Sequence, residues 1–257
     1  MYHLPSTAFA PIKMIMFLSL LLWATYSNAL QLDIHLKLQP TSCLHRTATI
    51  ANQNLHQHSS SEKIYLNVSL PHITLYLTDF RYDSINTLVD GLSKLDLNHQ
   101  LVDINDTMVS GAYATYSVQN TRSLQQLSDE IVRNCSQYIV ANQTVPNWVY
   151  DLPEPQRTKK INYVHQYGSP NVLDEFEPHL TVGYDEEASE EDRRIILEQI
   201  LSDDSDSCRE DSVWEIGVGV VGEMGTVLWD MTVISLKSDE FIRSTNSGSA
   251  HKIQRLR

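Results

Sequence analysis

The chain has 257 residues and is 42% hydrophobic, which suffices for one sizeable core or two small lobes but not for several large domains. Its net charge is −13, with acid concentrated at residues 174–192 and 203–211. Such a surface repels long polyanions, and no basic stripe with interleaved aromatics offers a face to duplex or long RNA.

Residues 1–29 read as a signal peptide. Lys13 precedes an apolar run over residues 14–24, and Ser27-Asn28-Ala29 places small residues at a cleavage site after Ala29. The run is short for a membrane span, so an uncleaved anchor is the alternative. The stretch before Lys13 is long for a signal, which leaves Met14 or Met16 as other starts. No second apolar run approaches membrane-spanning length. The expectation is a soluble monomer, secreted or in the secretory-pathway lumen, with no stable membrane insertion after cleavage. Four Asn-x-Ser/Thr acceptors, at Asn67, Asn105, Asn134 and Asn142, agree with that compartment. Asn67 falls in a predicted strand and is the least suited to a glycan. Of Cys43, Cys135 and Cys208, two can pair and one stays free; all three pairings are open. Cys208 lies in an acidic loop, which disfavours a reactive thiolate.

Residues 30–62 read as a polar leader segment, a strand followed by a loop. His56-Gln57-His58 lacks carboxylates or cysteines at ligand spacing and is assigned to that loop. Residues 63–80 are strand-rich, with Pro71 as a break. Apolar spacing predicts a helix over 84–95 capped by Asp83 or Ser84, a strand over 111–118, and a helix over 123–139 capped by Ser123 with Gln126. Residues 142–165, rich in proline and polar side chains, form the crossover, where Trp148 and Tyr150 could line a groove. A strand follows over 176–184, then a helix from a Ser189 cap through 201. Strands over 213–220 and 226–236 make a hairpin about residues 222–225. Residues 246–257 read as a flexible tail. The order predicts an α+β class domain over 63–245: a duplicated, two-lobed fold with antiparallel sheets on a central groove and helices outside.

One tetrapeptide pattern occurs twice. Pro71-His72-Ile73-Thr74 and Pro178-His179-Leu180-Thr181 each read Pro-His-aliphatic-Thr and each opens a strand. Strand alternation points His72 with Thr74, and His179 with Thr181, to one face. Two imidazoles that exchange protons near neutral pH, with two hydroxyl donors, suit acid–base chemistry on a phosphate ester. By the same alternation Tyr76 continues the His72 face and could stack a base. Gly183 shares the His179 face and would leave room for substrate, whereas Tyr184 faces away.

The repeated His-aliphatic-Thr, together with Tyr167-Gly168-Ser169-Pro170-Asn171-Val172 leading into the second copy, resembles the 2H phosphoesterase superfamily, which includes 2′-5′ RNA ligase-like proteins and cyclic phosphodiesterases. The likeness covers residues 63–236. It implies a pseudo-twofold arrangement with one His-Thr pair from each lobe. It also implies phosphodiester hydrolysis with His72 and His179 as acid and base in either order, and Thr74 and Thr181 as hydrogen-bond donors to the phosphoryl oxygens. No metal or other cofactor is expected. The substrates implied are 2′,3′-cyclic nucleotides, ADP-ribose cyclic phosphate, 2′-5′ linkages or RNA 3′ ends. The acid surface favours a small nucleotide or an oligonucleotide end. A non-catalytic nucleotide- or protein-binding glycoprotein on the same fold is the alternative.

Overall fold

The computed structural model describes residues 28–202 and 208–237. The expected signal peptide, apart from its last two residues, and the expected tail lie outside them. Strand β1 (Ala29–Lys37) leads to helix α1 (Cys43–His58), then β2 (His72–Arg81), α2 (Ile85–Ser93), β3 (Gln100–Ser110), β4 (Tyr113–Val118) and α3 (Arg122–Cys135). After these come α4 (Asn147–Tyr150), α5 (Gln156–Tyr167), β5 (His179–Tyr184), α6 (Glu190–Ser202), β6 (Glu210–Val213), β7 (Glu215–Val221) and β8 (Val227–Ser235). No helix among the described residues is long and apolar enough to cross a membrane.

The strands form one antiparallel sheet in the order β6-β3-β4-β5-β2-β1-β7-β8. Its centre is a weak seam. β2 and β5 meet only where Ile73 lies opposite Leu180, the middle residues of the two repeated motifs. The seam divides the sheet into a β2-β1-β7-β8 lobe and a β6-β3-β4-β5 lobe, the two-lobed α+β arrangement expected from the sequence. Helices α2 and α3 pack on the first lobe, and α1 and α6 on the second. The lobes do not follow the halves of the chain. β3 and β4 precede the crossover yet flank the second motif, and the C-terminal β7–β8 hairpin completes the first lobe.

Residues 30–62 are not a leader. β1 is buried on both faces, with Leu32, Ile34 and Leu36 in the core and Asp33 and His35 equally inaccessible on the other side. The stretch read as a loop is the second half of α1, whose Leu44, Ala48, Ala51 and Leu55 are buried. His56 and His58 sit on that helix, bonded to the carbonyls of Ile64 and Asn54. The pairing left open by the sequence is Cys43–Cys208, which ties the start of α1 to the chain before β6, while Cys135 is free and buried.

Local signals set the helix ends. Thr121, rather than Ser123, caps α3 by accepting from the Leu124 amide, and Ser189 accepts from the Asp192 amide. Helix α5 lies inside the expected crossover and ends on Gly168, whose φ of 71° is the left-handed conformation glycine supplies at a helix terminus.

Candidate active site

The seam between the lobes is the floor of a groove of about 380 Å³. His72, Thr74, His179 and Thr181 all line it. The Ile73–Leu180 bridge puts His72 across from Thr181 and Thr74 across from His179. The two histidines thus flank the bridge diagonally and line the same groove.

Both imidazoles are held in the same way. His72 Nδ1 lies 2.8 Å from the carbonyl oxygen of Leu70, and His179 Nδ1 lies 2.9 Å from that of Glu177. A carbonyl only accepts, so each Nδ1 carries a proton and each Nε2 is left to take or give one. In both copies the acceptor is two residues upstream, before the motif proline. Pro71 and Pro178 thus turn the chain so that a free carbonyl meets the following ring.

Each motif strand carries a one-residue bulge just after its threonine. On β2, Thr74 pairs with His35 and Tyr76 with Ile34, leaving Leu75 extra. On β5, Thr181 pairs with Thr115 and Gly183 with Ala114, leaving Val182 extra. A bulge reverses which face the following residues occupy. Tyr76 therefore does not reach the groove. It is 1% exposed, packs edge-on against Phe80, and its hydroxyl donates to the Tyr167 carbonyl at 2.5 Å. Leu77 takes the groove position instead. Gly183 also faces inward, where an added Cβ would lie 2.7 Å from Glu62 Oε2, so its role is packing beneath α1 rather than substrate room.

The groove's aromatic wall comes from Trp148 and Tyr113, with Phe176 at the base; Tyr150 lies outside it. Trp148 is 45% exposed, with Lys160 Nζ 5.7 Å from its ring centre. Lys160 also donates to Asn171 Oδ1 at 2.8 Å and pairs with Glu175, which fixes the Ser169-Pro170-Asn171 rim.

Behind the first motif lies a row of charges that the sequence did not reveal. Thr74 donates to Asp33 Oδ2 at 2.6 Å, and His72 Nε2 stands 3.5 Å from the same oxygen. His35 lies between Asp33 at 3.6 Å and Asp230 at 3.2 Å, and Lys37 closes the row on Asp230 at 2.8 Å. Burial opposes charge on Asp33, but the attraction of His35 and His72 outweighs it and holds the carboxyl at about 2. Burial likewise opposes charge on His35, yet Asp230 and Asp33 raise it to about 9, so the ring is an imidazolium at neutral pH. Glycines on β7 make the space: a Cβ at Gly217 would lie 2.7 Å from His35 Cε1. The visible signal was Gly217-Val218-Gly219, two glycines on one strand face, which marks close approach by a neighbour.

The four acceptor asparagines are all exposed. Asn67 sits in a turn before β2, not in a strand; the chain there meets the sheet at Lys63 and Leu70, whose amides donate to the Tyr184 and Val227 carbonyls, and turns between them. Asn105 is the bulge residue of β3. Among the described residues, no group of three or more His, Cys, Asp or Glu side chains is placed to hold a metal ion.

No family model and no curated protein sequence matches the chain. Solved structures do. A protein described as a phosphoesterase matches at 12% identity over 81% of this chain and 98% of its own, with a TM-score of 0.44. Escherichia coli LigT in its apo form matches at 12% identity over 82% of this chain and 99% of its own, with a TM-score of 0.44. Kluyveromyces marxianus Usb1 matches at 12% identity over 81% and 97%, with a TM-score of 0.41. These are distant likenesses, and the chemistry of the groove is read from its own residues.

Proposed function

We propose that this protein is a secreted, metal-independent phosphodiesterase that hydrolyses 2′,3′-cyclic nucleotides or related small RNA-type phosphodiesters by two-histidine acid–base catalysis. The observation that carries this reading is that two imidazoles, one from each lobe, line one groove with each Nδ1 held by the carbonyl two residues upstream. One ring must enter neutral and the other protonated, and in both the Nδ1 proton is held on a backbone carbonyl. Thr181 makes no side-chain hydrogen bond among the described residues, so its hydroxyl can serve the charge that builds on a phosphoryl oxygen. Trp148 and Tyr113 give a base two π faces. The acid surface favours a small substrate over a long polyanion. The Cys43–Cys208 bridge and the four exposed acceptor asparagines support an oxidising, secretory location.

Hydrolysis of a panel of 2′,3′-cyclic nucleotides in EDTA tests this reading. Wild-type turnover should fall on the order of a hundredfold or more in both His72→Ala and His179→Ala. Undiminished activity in either folded variant would defeat it. Retention of the expressed protein in the cytosol would defeat the location.

A further inference from the structure

The two motifs have the same sequence but different backing. His35 stands across from Thr74 as Thr115 stands across from Thr181, and each pair sits one step before the bulge. Moving back along β1 and β4, Asp33 and Tyr113 hold matching places. The positions correspond, yet one lobe fills them with a carboxylate and an imidazolium and the other with a phenol and an alcohol. The pseudo-twofold is therefore broken in charge.

Lys37, Asp230, His35 and Asp33 alternate in sign and balance one another. The row ends in a carboxylate oxygen that touches both functional groups of the first motif, Thr74 at 2.6 Å and His72 Nε2 at 3.5 Å. Around His72 the charged and titratable groups are Asp33 and His35 from β1, with the His35 ring centre 5.1 Å away. Lys37, opposite His72 in the ladder, has its ammonium on Asp230 of β8. Across the groove stand His179 and Glu177. Asp33 is the anion nearest the reactive nitrogen.

Resting on the two-histidine reading above, we infer that Asp33, fixed by His35 and Asp230, is a positioning residue that makes His72 the proton donor and leaves His179 as the base. A carboxylate oxygen only accepts, so a proton carried on His72 Nε2 has an acceptor 3.5 Å away that holds the ring's orientation. The same carboxylate accepts a hydrogen bond from the Thr74 hydroxyl, so Thr74 holds Asp33 in place and Thr181 is left to donate to the phosphoryl oxygen. In the reaction, a water oxygen bonds to phosphorus and passes one proton to His179 Nε2. The bond from phosphorus to the leaving ribose oxygen breaks, and that oxygen takes the Nε2 proton of His72. One proton enters the protein and one leaves, and the two rings re-equilibrate with solvent before the next turnover.

Leaving-group dependence tests the assignment. A 2′,3′-cyclic nucleotide needs a proton on its departing alkoxide, whereas a nitrophenyl ester of a nucleoside phosphate does not. His72→Ala should lose on the order of a hundredfold on the first substrate and less than about tenfold on the second. His179→Ala should lose heavily on both. Asp33→Asn should follow His72→Ala with a smaller loss, and Asp230→Asn, one step further along the row, should do the same. A purely structural Asp33 would lower both substrates equally and overturn its role. Rescue of His179→Ala instead of His72→Ala would overturn the assignment while leaving the two-histidine reading intact. Wild-type protein that turns over neither substrate would remove that reading and the assignment with it. The His72 and His179 variants decide the assignment even where Asp33→Asn fails to fold.

Discussion

Replacement of Gly217 by alanine should drive a wedge into the buried charge row. The new Cβ would lie 2.7 Å from His35 Cε1, and closer still to His35 Nε2 and Asp230 Oδ1. His35 is fully buried and pinned on β1 between two carboxylates, so it has no free rotamer to retreat into. Overpacking of this kind costs about 1–3 kcal/mol. Separating His35 from Asp230 adds to that, because a buried charge then loses its partner. A net loss of about 2 kcal/mol corresponds to a fall in Tm of roughly 4–8 °C for a protein of this size. The control is Gly91→Ala in α2, where nothing lies within 4 Å of the added Cβ. That change should stabilise the fold by about 0.5–1 kcal/mol through lost chain entropy. Thermal denaturation followed by circular dichroism reads both. A Gly217→Ala protein as stable as wild type would refute the packing of His35 against β7.

Three further outcomes follow from the same contacts. The charge on His35, raised from 6.5 to about 9, stabilises the fold fully below pH 6.5 and is lost as pH rises through about 9. Asp33, lowered from 3.8 to about 2, contributes above pH 3.8 and is lost as pH falls through about 2. Wild-type Tm should therefore decline from pH 6.5 to 9, and His35→Gln, though less stable throughout, should lack that decline; parallel curves would contradict it. Reduction of Cys43–Cys208, which spans 165 residues, should cost about 2–5 kcal/mol, read as a lower urea midpoint; an unchanged midpoint would show that the bridge does not constrain the unfolded chain. Tyr76→Phe should cost about 1 kcal/mol for its lost bond to Tyr167 and leave KM unchanged, whereas a raised KM would place Tyr76 against substrate after all.

The gathering of His72, Thr74, His179 and Thr181 on one groove was legible in the sequence because their pattern repeats in two strand-opening contexts, and helical spacing gave α2, α3 and α6. Alternation failed at Tyr76 and Gly183 because a bulge reverses the face, and neither Leu75 nor Val182 differs from an ordinary strand residue. β3 was hidden by its Asn and Asp content and by its own bulge at Asn105. α5 was hidden by the prolines ahead of it. Asp33 and His35 alternate with leucine and isoleucine, a pattern that normally marks one solvated strand face. Only the β7 glycines and Asp230, close on two hundred residues away in sequence, turn that face into a buried charge row.

The most direct test of the account is a crystal structure of the protein with a nucleoside 2′-phosphate. The phosphoryl group is expected over the Ile73–Leu180 bridge, within hydrogen-bond distance of both Nε2 atoms and of the Thr181 hydroxyl, with the base against Trp148 or Tyr113. A phosphate bound elsewhere on the protein, or in the groove with only one histidine in reach, would contradict it.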